Sequence, residues 1–311
     1  MKPMIIVILG PTATGKSSLA VALAARFKGE IINADSMQVY RFMDIGTAKA
    51  TEKERSGIRH HLIDIVNPDE QYTAGRFRKD AAGAIADITS RTHLPFVAGG
   101  TGLYIRVLTE GLFQGPAVDP AIREGLLEEA RLYGNEHLHR ELAKVDPASA
   151  SAIHPNNVRR VIRALEVYLV ARRPISALQK EQALTEPPYH ALKIGLKKER
   201  ALLYADIDRR VDEMIQEGLV EETESLLRAG YDEDCVAMGG LGYKESLEFI
   251  RGRVSLPEAR RLIKRNTRHY ARRQMTWFRK ERKIKWFNPA DEAGIIKAVE
   301  GHIKGSSFGE S

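Results

Sequence analysis

Eight consecutive residues near the amino terminus have the types and spacing of a phosphate-binding loop. The loop fits the pattern G-x-x-x-x-G-K-[ST] and consists of Gly10, Pro11, Thr12, Ala13, Thr14, Gly15, Lys16 and Ser17. It follows an apolar run and precedes a helical pattern, which is the context that the motif requires. Backbone N–H groups and the helix amino terminus would bind phosphate oxygens, Lys16 would add charge, and Ser17 could ligate Mg²⁺. The sequence therefore predicts a diphosphate site.

An acidic residue is missing where phosphoryl transfer would need one. In P-loop enzymes that move a phosphoryl group, an acid at the end of a later strand assists the metal. Here the candidate strand, residues 95–98, runs into Gly99, Gly100 and Thr101 without such a residue. The loop is therefore predicted to hold a diphosphate for a different chemistry.

A carboxylate follows the second apolar run, in which Ile31 and Ile32 lead through Asn33 and Ala34 to Asp35. Ligands of open α/β sheets bind at the carboxyl ends of the strands. This placement favours a carboxylate that faces the phosphate loop, and a turn or helix N-cap is the alternative for an Asp at such a position.

The elements that position these residues alternate between strand and helix. Strand-like runs cover residues 4–9, 31–32, 62–66, 95–98 and 192–196, and helical patterns cover residues 18–27 and 76–88. This alternation predicts an α/β fold with a P-loop NTPase-like parallel sheet. Only helical patterns occur between about residues 115 and 188, so we expect a core of residues 1–114 and 189–311 and a helical insertion of residues 115–188. Ser255 and Glu258 open a long helix that is predicted to continue to about Lys283.

Charge is unevenly distributed along the 311 residues. The net charge is +7, and residues 251–286 alone hold fourteen Lys/Arg against two acidic residues, a balance of +12 that leaves −5 for the rest. A basic segment on a mildly acidic body favours a polyanionic partner. The single cysteine, Cys235, excludes an internal disulfide, and no apolar run is long enough for a membrane span. We expect a cytoplasmic monomer with no membrane contact.

Seven stretches of sequence occur in an order shared with one enzyme family. They are GPTATGKS (10–17), NADSMQVYRFMDIGTAK (33–49), GGTGLY (99–104), RRVIRALEVY (159–168), RVDEM to GLVEE (210–222), GYKE (242–245) and TRHYARRQMTWFR (267–279). The chain thus resembles the bacterial tRNA dimethylallyltransferases, also called tRNA isopentenyltransferases, to about Phe287. It departs from their pattern at Asp206, where an arginine is expected, and at Gly239, where glutamine is frequent.

The resemblance implies transfer of the dimethylallyl group of dimethylallyl diphosphate to the exocyclic amine of the adenine just 3′ of the anticodon. It implies that residues 10–17 bind the diphosphate, with Asp35 as general base, Thr101 beside the reacting centre and Arg210 on the diphosphate. Mg²⁺ is the implied cofactor and the tRNA anticodon stem-loop the implied partner. The implied tRNA contacts are Asp35, Ser36, Met37, Gln38, Thr101, Arg123, Arg159, Arg160, Val161, Ile162, Arg163, Lys244 and Arg273.

The chemistry of the groups is consistent with these roles. An adenine amine is a poor nucleophile, so a carboxylate that accepts its proton would help, typically by about 10²–10⁴-fold. With an unperturbed pKa near 3.9, Asp35 would be ionised at pH 7. The target base must leave its stack to reach a buried carboxylate. Gln38 could then read its edge with both ends of the amide, and a surface role is the alternative.

Two basic helical faces are candidates for RNA contact. Arg159, Arg160 and Arg163 lie opposite an apolar stripe of Val158, Val161, Ile162 and Leu165, and a merely solvated charged face is the alternative. In the C-terminal helix, Tyr270, Trp277 and Phe278 favour packing over base stacking. The better RNA candidates there are the cations Arg268, Arg272, Arg273, Arg279 and Lys280.

Three other functions share parts of this pattern. A small-molecule P-loop kinase has a similar core but needs no basic C-terminal helix. An isopentenyltransferase that acts on free adenine nucleotides would use the same leaving group. A nucleic-acid-binding module could use the loop only to sense a nucleotide.

Overall fold

The computed structural model describes residues 2–111, 115, 119–182, 186–281 and 283–307. The chain divides into two compact units, a larger one of Met1–Thr109 and Pro188–Ser311 and a smaller one of Glu110–Pro187. Residues 112–114 and 116–118, at the start of the expected insertion, lie outside the described residues, as do residues 183–185 near its end.

The described part of the larger unit contains one parallel sheet with the strand order β3-β2-β4-β1-β5-β6. The strands are β1 (Met4–Leu9), β2 (Gly29–Asn33), β3 (His60–His61), β4 (Leu94–Gly99), β5 (His190–Leu196) and β6 (Ile284–Phe287). β1 lies between β4 and β5, with Ile6 opposite both Phe96 and Leu192. Residues 5–9 of β1 are fully buried, as expected for a strand covered on both faces. The predicted α/β fold with a parallel sheet is confirmed.

Helices make up most of the remaining described chain. In chain order they are α1 (Lys16–Arg26), α2 (Glu52–Arg55), α3 (Ala74–Ser90), α4 (Gly102–Thr109), α5 (Pro120–Tyr133), α6 (Asn135–Val145), α7 (Pro147–Ala152), α8 (Val158–Ala171), α9 (Ile175–Gln182), α10 (Arg200–Gln216), α11 (Leu219–Arg228), α12 (Tyr243–Ile250), α13 (Leu256–Phe278) and α14 (Glu292–Ser307). A core cluster on one side of the sheet joins Ile8 of β1 to Leu23 of α1 and to Ile295 and Val299 of α14. Helices α5–α9 belong to the smaller unit.

Two predicted elements differ from the structure. The strand predicted at residues 62–66 is wrong, because Leu62 and Asp64 adopt positive φ values of 62° and 56°, which extended backbone does not allow. The strand that joins the sheet is β3, just before them. The long C-terminal helix starts where predicted, with the Ser255 hydroxyl accepting the Glu258 amide at 3.4 Å. It ends at Phe278 rather than near Lys283, since the chain turns back to supply β6.

The smaller unit has its own hydrophobic core. Leu126 of α5, Leu138 and Leu142 of α6, and Leu165 of α8 belong to one buried cluster. The apolar stripe predicted for α8 is correct, since Val161, Ile162 and Leu165 belong to this cluster and Val158 packs against it. Leu127 and Leu169 are exposed by 42% and 38%, because each lies toward the solvent side of its helix.

Candidate active site

Three loops that carry predicted site residues meet at one edge of the sheet. The phosphate loop follows β1, Asp35 follows β2 and Thr101 follows β4, and these strands are parallel and adjacent. Backbone bonds join the last two loops, since the Ala34 amide donates to Ala98 at 2.8 Å and the Thr101 amide donates to Ala34 at 3.2 Å. Gly99 makes this contact possible, because any side chain there would collide with the Ala34 carbonyl. The site is therefore built by strand order, not by proximity in sequence.

The backbone of the phosphate loop has the form of an anion-binding nest. Ala13 and Gly15 adopt left-handed φ values of 63° and 85°, and alternation of this kind turns successive N–H groups to one side. No side chain caps the first turn of α1, so its amides are available to a ligand. The Pro11 carbonyl braces the loop from within, because it accepts the Thr14 hydroxyl at 2.9 Å and the Lys16 ammonium at 2.7 Å.

Two cations lie at this loop without a carboxylate partner. Burial lowers the pKa of Lys16 to about 8, while nearby Asp35 opposes that shift and Arg210 adds to it. Burial also lowers the pKa of Arg210, on α10. Within the described part of the chain, neither side chain has a carboxylate at salt-bridge distance. Positive charge that is not engaged in a salt bridge, next to a nest of amides, is suited to a diphosphate.

Asp35 lies beside these cations and is a stronger base than the unperturbed value implies. Burial raises its pKa above 3.8, an effect that the Met37 amide and Lys16 partly offset. Oδ1 of Asp35 accepts the Met37 amide at 2.9 Å, so the alternative interpretation as a turn residue is also correct. The expectation of an unperturbed pKa is wrong, because the carboxylate is largely removed from water.

Thr101 links the two loops through its side chain. Its hydroxyl oxygen accepts the Ser36 amide at 3.0 Å and donates to the Ser36 hydroxyl at 3.3 Å. The Tyr270 hydroxyl of α13 also interacts with Thr101. The structure therefore brings Asp35, Ser36 and Thr101 together, as the sequence predicts.

The two remaining residues of the Asp35 loop face the protein. Gln38 uses its amide nitrogen internally, donating to the carbonyls of Thr47 and Ala48 at 3.1 and 3.2 Å. The predicted two-ended reading of adenine is therefore wrong for this arrangement, and Oε1 is the end left to accept an amine proton. The methyl end of Met37 occupies the space that a side chain at Gly240 would take, so Met37 acts partly as packing.

Glu222 and Tyr243 are site-supporting residues that the sequence did not single out individually. The Glu222 carboxylate accepts the backbone amides of Asp44, Ile45 and Gly46 at 2.9–3.2 Å, and it accepts the Tyr243 hydroxyl at 2.6 Å. It thereby fixes the segment whose next two carbonyls hold Gln38. Both residues lie in motifs that the sequence analysis recognised, at residues 210–222 and 242–245. A motif does not show, however, which residues elsewhere in the chain its side chains contact.

The basic residues of α13 are less available than the sequence indicates. Arg260 and Lys264 both pair with Asp212, at 2.5 and 2.6 Å, and Arg268 pairs with Asp208 at 2.8 Å. The expectation that Arg268 contacts RNA is therefore poorly supported, because α10 already neutralises it. Exposed cations without a carboxylate partner among the described residues include Lys244, Arg272, Arg273, Arg279 and Lys280.

In the smaller unit the predicted RNA-binding stretch separates into three groups. Val161 and Ile162 are 1% and 3% exposed, so their assignment as tRNA contacts is wrong for the side chains, which form core. Arg123 and Arg163 pair with the buried carboxylate of Glu166, at 3.1 and 2.7 Å. The exposed group consists of Arg159 and Arg160.

Sequence comparison places these features in a family. A family model described as IPP transferase matches residues 38–281. The chain belongs to the IPP transferase family. Among similar members, the tRNA dimethylallyltransferase of Geobacter metallireducens is 52% identical and covers 96% of this chain and 97% of its own. That of Acetivibrio thermocellus is 50% identical, with 98% of each chain covered.

Solved structures of IPP transferase relatives have the same fold. The tRNA isopentenylpyrophosphate transferase of Bacillus halodurans has a TM-score of 0.75 at 42% identity, with 99% of both chains covered. A eukaryotic dimethylallyltransferase acting on tRNA has a TM-score of 0.78 at 31% identity, and it covers 92% of this chain and 74% of its own. Membership in the IPP transferase family, whose transferred group is a prenyl and not a phosphoryl group, argues against the small-molecule kinase and the binding module. Across the described residues of this family member, no helix has the length and apolar character of a bilayer span.

Proposed function

We propose that the protein transfers the dimethylallyl group of dimethylallyl diphosphate to the exocyclic amine of the adenine 3′ of the anticodon in tRNA. The main support for this proposal is that the phosphate loop, Asp35 and Thr101 lie together at one edge of the sheet in an IPP transferase. A C–O bond of the allylic diphosphate breaks, a C–N bond to adenine forms, and the amine proton passes to Asp35. Diphosphate is released.

The leaving group is stabilised by preorganised donors. As the C–O bond breaks, negative charge grows on the diphosphate oxygen that was bonded to the allylic carbon. The amides of the phosphate loop, Lys16 and Arg210 are positioned at this charge before the reaction starts, so little reorganisation is needed. The end of β4 carries Gly99 and Gly100 instead of an acid, which agrees with a reaction that activates no water.

A divalent ion fits this site through the hydroxyl of Ser17. Ser17 lies in the first turn of α1 and is exposed, so a metal held there would take its other ligands from diphosphate oxygens and water, as Mg²⁺ prefers. No group of three His, Cys, Asp or Glu side chains suited to a metal occurs among the described residues. When bound, Mg²⁺ would neutralise part of the diphosphate charge.

Asp35 is the base in this proposal. Its raised pKa makes the carboxylate a better proton acceptor than a solvated Asp, and the Lys16 charge opposes that rise in pKa. Thr101 and Ser36 lie on the same side and offer hydroxyl groups to the entering base. Oε1 of Gln38 is the acceptor for the second amine proton.

The tRNA contacts belong chiefly to exposed arginine and lysine side chains. Arg159 and Arg160 of the insertion, residues 115–188, and Lys244 and Arg273 of the core would bind phosphates of the anticodon stem-loop. We expect the protein to work as a monomer in the cytoplasm.

The direct test offers labelled dimethylallyl diphosphate with unmodified tRNA, free AMP or no acceptor. Transfer to tRNA alone supports the proposal, and preferred transfer to AMP replaces it with the free-nucleotide reaction. Asp35→Asn should lower single-turnover transfer by roughly 10²-fold, because the amide cannot take a proton. An unchanged rate in that variant eliminates Asp35 as the base.

A further inference from the structure

One buried amide joins the phosphate loop to the loop after β4. Gln274, on α13, is 6% exposed. Its Oε1 accepts the Thr12 amide at 2.9 Å, and its Nε2 donates to the Gly100 carbonyl at 3.0 Å. The three backbone segments involved are far apart in sequence. The side chain therefore fixes two site loops relative to each other from a third element.

The space around Gln274 is shaped for this contact. A side chain at Gly100 would collide with the Gln274 amide nitrogen, so a residue without a Cβ lets the amide reach the carbonyl. On the other side, Ala13 of the phosphate loop belongs to a buried cluster with Leu203, Ile207 and Ala271, one turn before Gln274 on α13. Apolar packing and two hydrogen bonds thus hold the same loop against α13.

A second polar residue extends the contact to the acceptor side of the site. Tyr270 precedes Gln274 by four residues, so both lie on one face of α13. The Tyr270 hydroxyl interacts with the side chains of Gln274 and Thr101. Because the Thr101 hydroxyl accepts the Ser36 amide, Tyr270 lies between Gln274 and the residues that hold the loop of Asp35.

We infer that Gln274 is a positioning residue, which holds the phosphate loop in register with the Thr101 and Asp35 loops so that leaving group and base face one reaction centre. The inference rests on the proposed function for its effect on catalysis. It does not require Gln274 to touch either substrate. A displacement of about 1 Å between reacting groups lowers rates by on the order of 10²-fold, so such a residue affects turnover from outside the reaction centre.

Gln274→Met tests the inference because methionine fills a similar volume and makes neither hydrogen bond. We expect the Kd for inorganic diphosphate, measured by calorimetry, to rise about tenfold, since the Thr12 amide loses its buried acceptor. Amide hydrogen exchange in the phosphate loop should become faster. Single-turnover transfer should fall by roughly 10²-fold, while tRNA affinity stays within about twofold because the exposed cations of α13 are unchanged.

Thr276→Ala on the same helix is the matched control, because among the described residues its hydroxyl bonds only to the Arg272 carbonyl, and it should behave as wild type. Gln274→Glu is the second variant and retains an acceptor for Thr12. Gln274→Glu loses only the donor to the Gly100 carbonyl, so we expect faster exchange in the loop after β4. Wild-type exchange and diphosphate affinity in folded Gln274→Met would overturn the inference. If only Gln274→Glu folds, wild-type exchange in that loop would overturn it, and failure of both variants to fold would make Gln274 a core residue. Exchange and diphosphate binding need no transfer, so they remain informative if the proposed reaction fails.

Discussion

The alkaline pH dependence of diphosphate binding reports directly on Lys16. Burial lowers the pKa of this ammonium from 10.5 to about 8. A shift of that size corresponds to about 3 kcal/mol against the charged form. Lys16 is therefore charged in the free protein at pH 7, about half charged at pH 8 and roughly one-tenth charged at pH 9.

Because binding of a diphosphate needs the ammonium, affinity should fall about tenfold per pH unit above pH 8. A diphosphate ester does not share this titration, since the last ionisation of its terminal phosphate lies at about 6. Asp35→Asn should move the fall to lower pH, because the Asp35 charge is what opposes the shift of Lys16. Lys16→Arg should abolish the fall, since guanidinium stays charged throughout this range.

Calorimetric titration with an alkyl diphosphate ester, in the absence of tRNA, from pH 7 to 9.5 measures both quantities. The affinity profile gives the pKa of the free protein, and repetition in buffers of different ionisation heat gives the protons taken up on binding. Wild type should take up close to one proton at pH 9 and Lys16→Arg none. If affinity fell in parallel with pH for wild type and Lys16→Arg, the fall above pH 8 could not be due to deprotonation of Lys16. The inference that burial lowers the pKa of Lys16 would then be refuted.

Two further predictions concern the acceptor side. Glu222→Gln should raise the KM for tRNA about tenfold and leave the Kd for diphosphate unchanged, because it weakens the acceptor of three loop amides. Steady-state kinetics with each substrate varied in turn distinguishes an effect on tRNA from an effect on the diphosphate. An equal rise in both constants would contradict the prediction. The triple variant Arg159→Ala, Arg160→Ala and Arg273→Ala should reduce the slope of log affinity for tRNA against log salt by about 2–3, and equal filter-binding slopes would show that these arginines do not contact phosphates.

The phosphate loop and the fold class could be predicted from the sequence because both depend on local patterns. The loop needs Gly10, Gly15, Lys16 and Ser17 at fixed spacing, and that spacing itself dictates the turn into a helix. The strand before it is apolar at every position because both faces are covered. Asp35 could be placed near the loop for a related reason, since parallel strands present their carboxyl ends at one edge.

The net charge of the basic segment overstated how many of its side chains are available to bind RNA. The basic segment was visible as a net charge, but the sequence could not reveal that Asp212 and Asp208 of another helix pair with three of its cations. The same limit applies to residues 159–163, where a contiguous stretch mixes exposed arginines with the core side chains of Val161 and Ile162. A helix turns about 100° per residue, so neighbours in sequence face different surroundings.

Only the tertiary structure decided which side chains hold the site in place. Gln274 bonds to the phosphate loop across 262 residues of sequence, and Glu222 bonds to the amide of Asp44 across 178. Neither a glutamine within a basic helix nor a glutamate within an acidic one differs locally from its neighbours. Their partners are backbone amides and carbonyls, which every residue possesses and no sequence pattern marks. Such contacts are fixed by the packing of whole helices against the sheet edge, and that packing exists only in the folded chain.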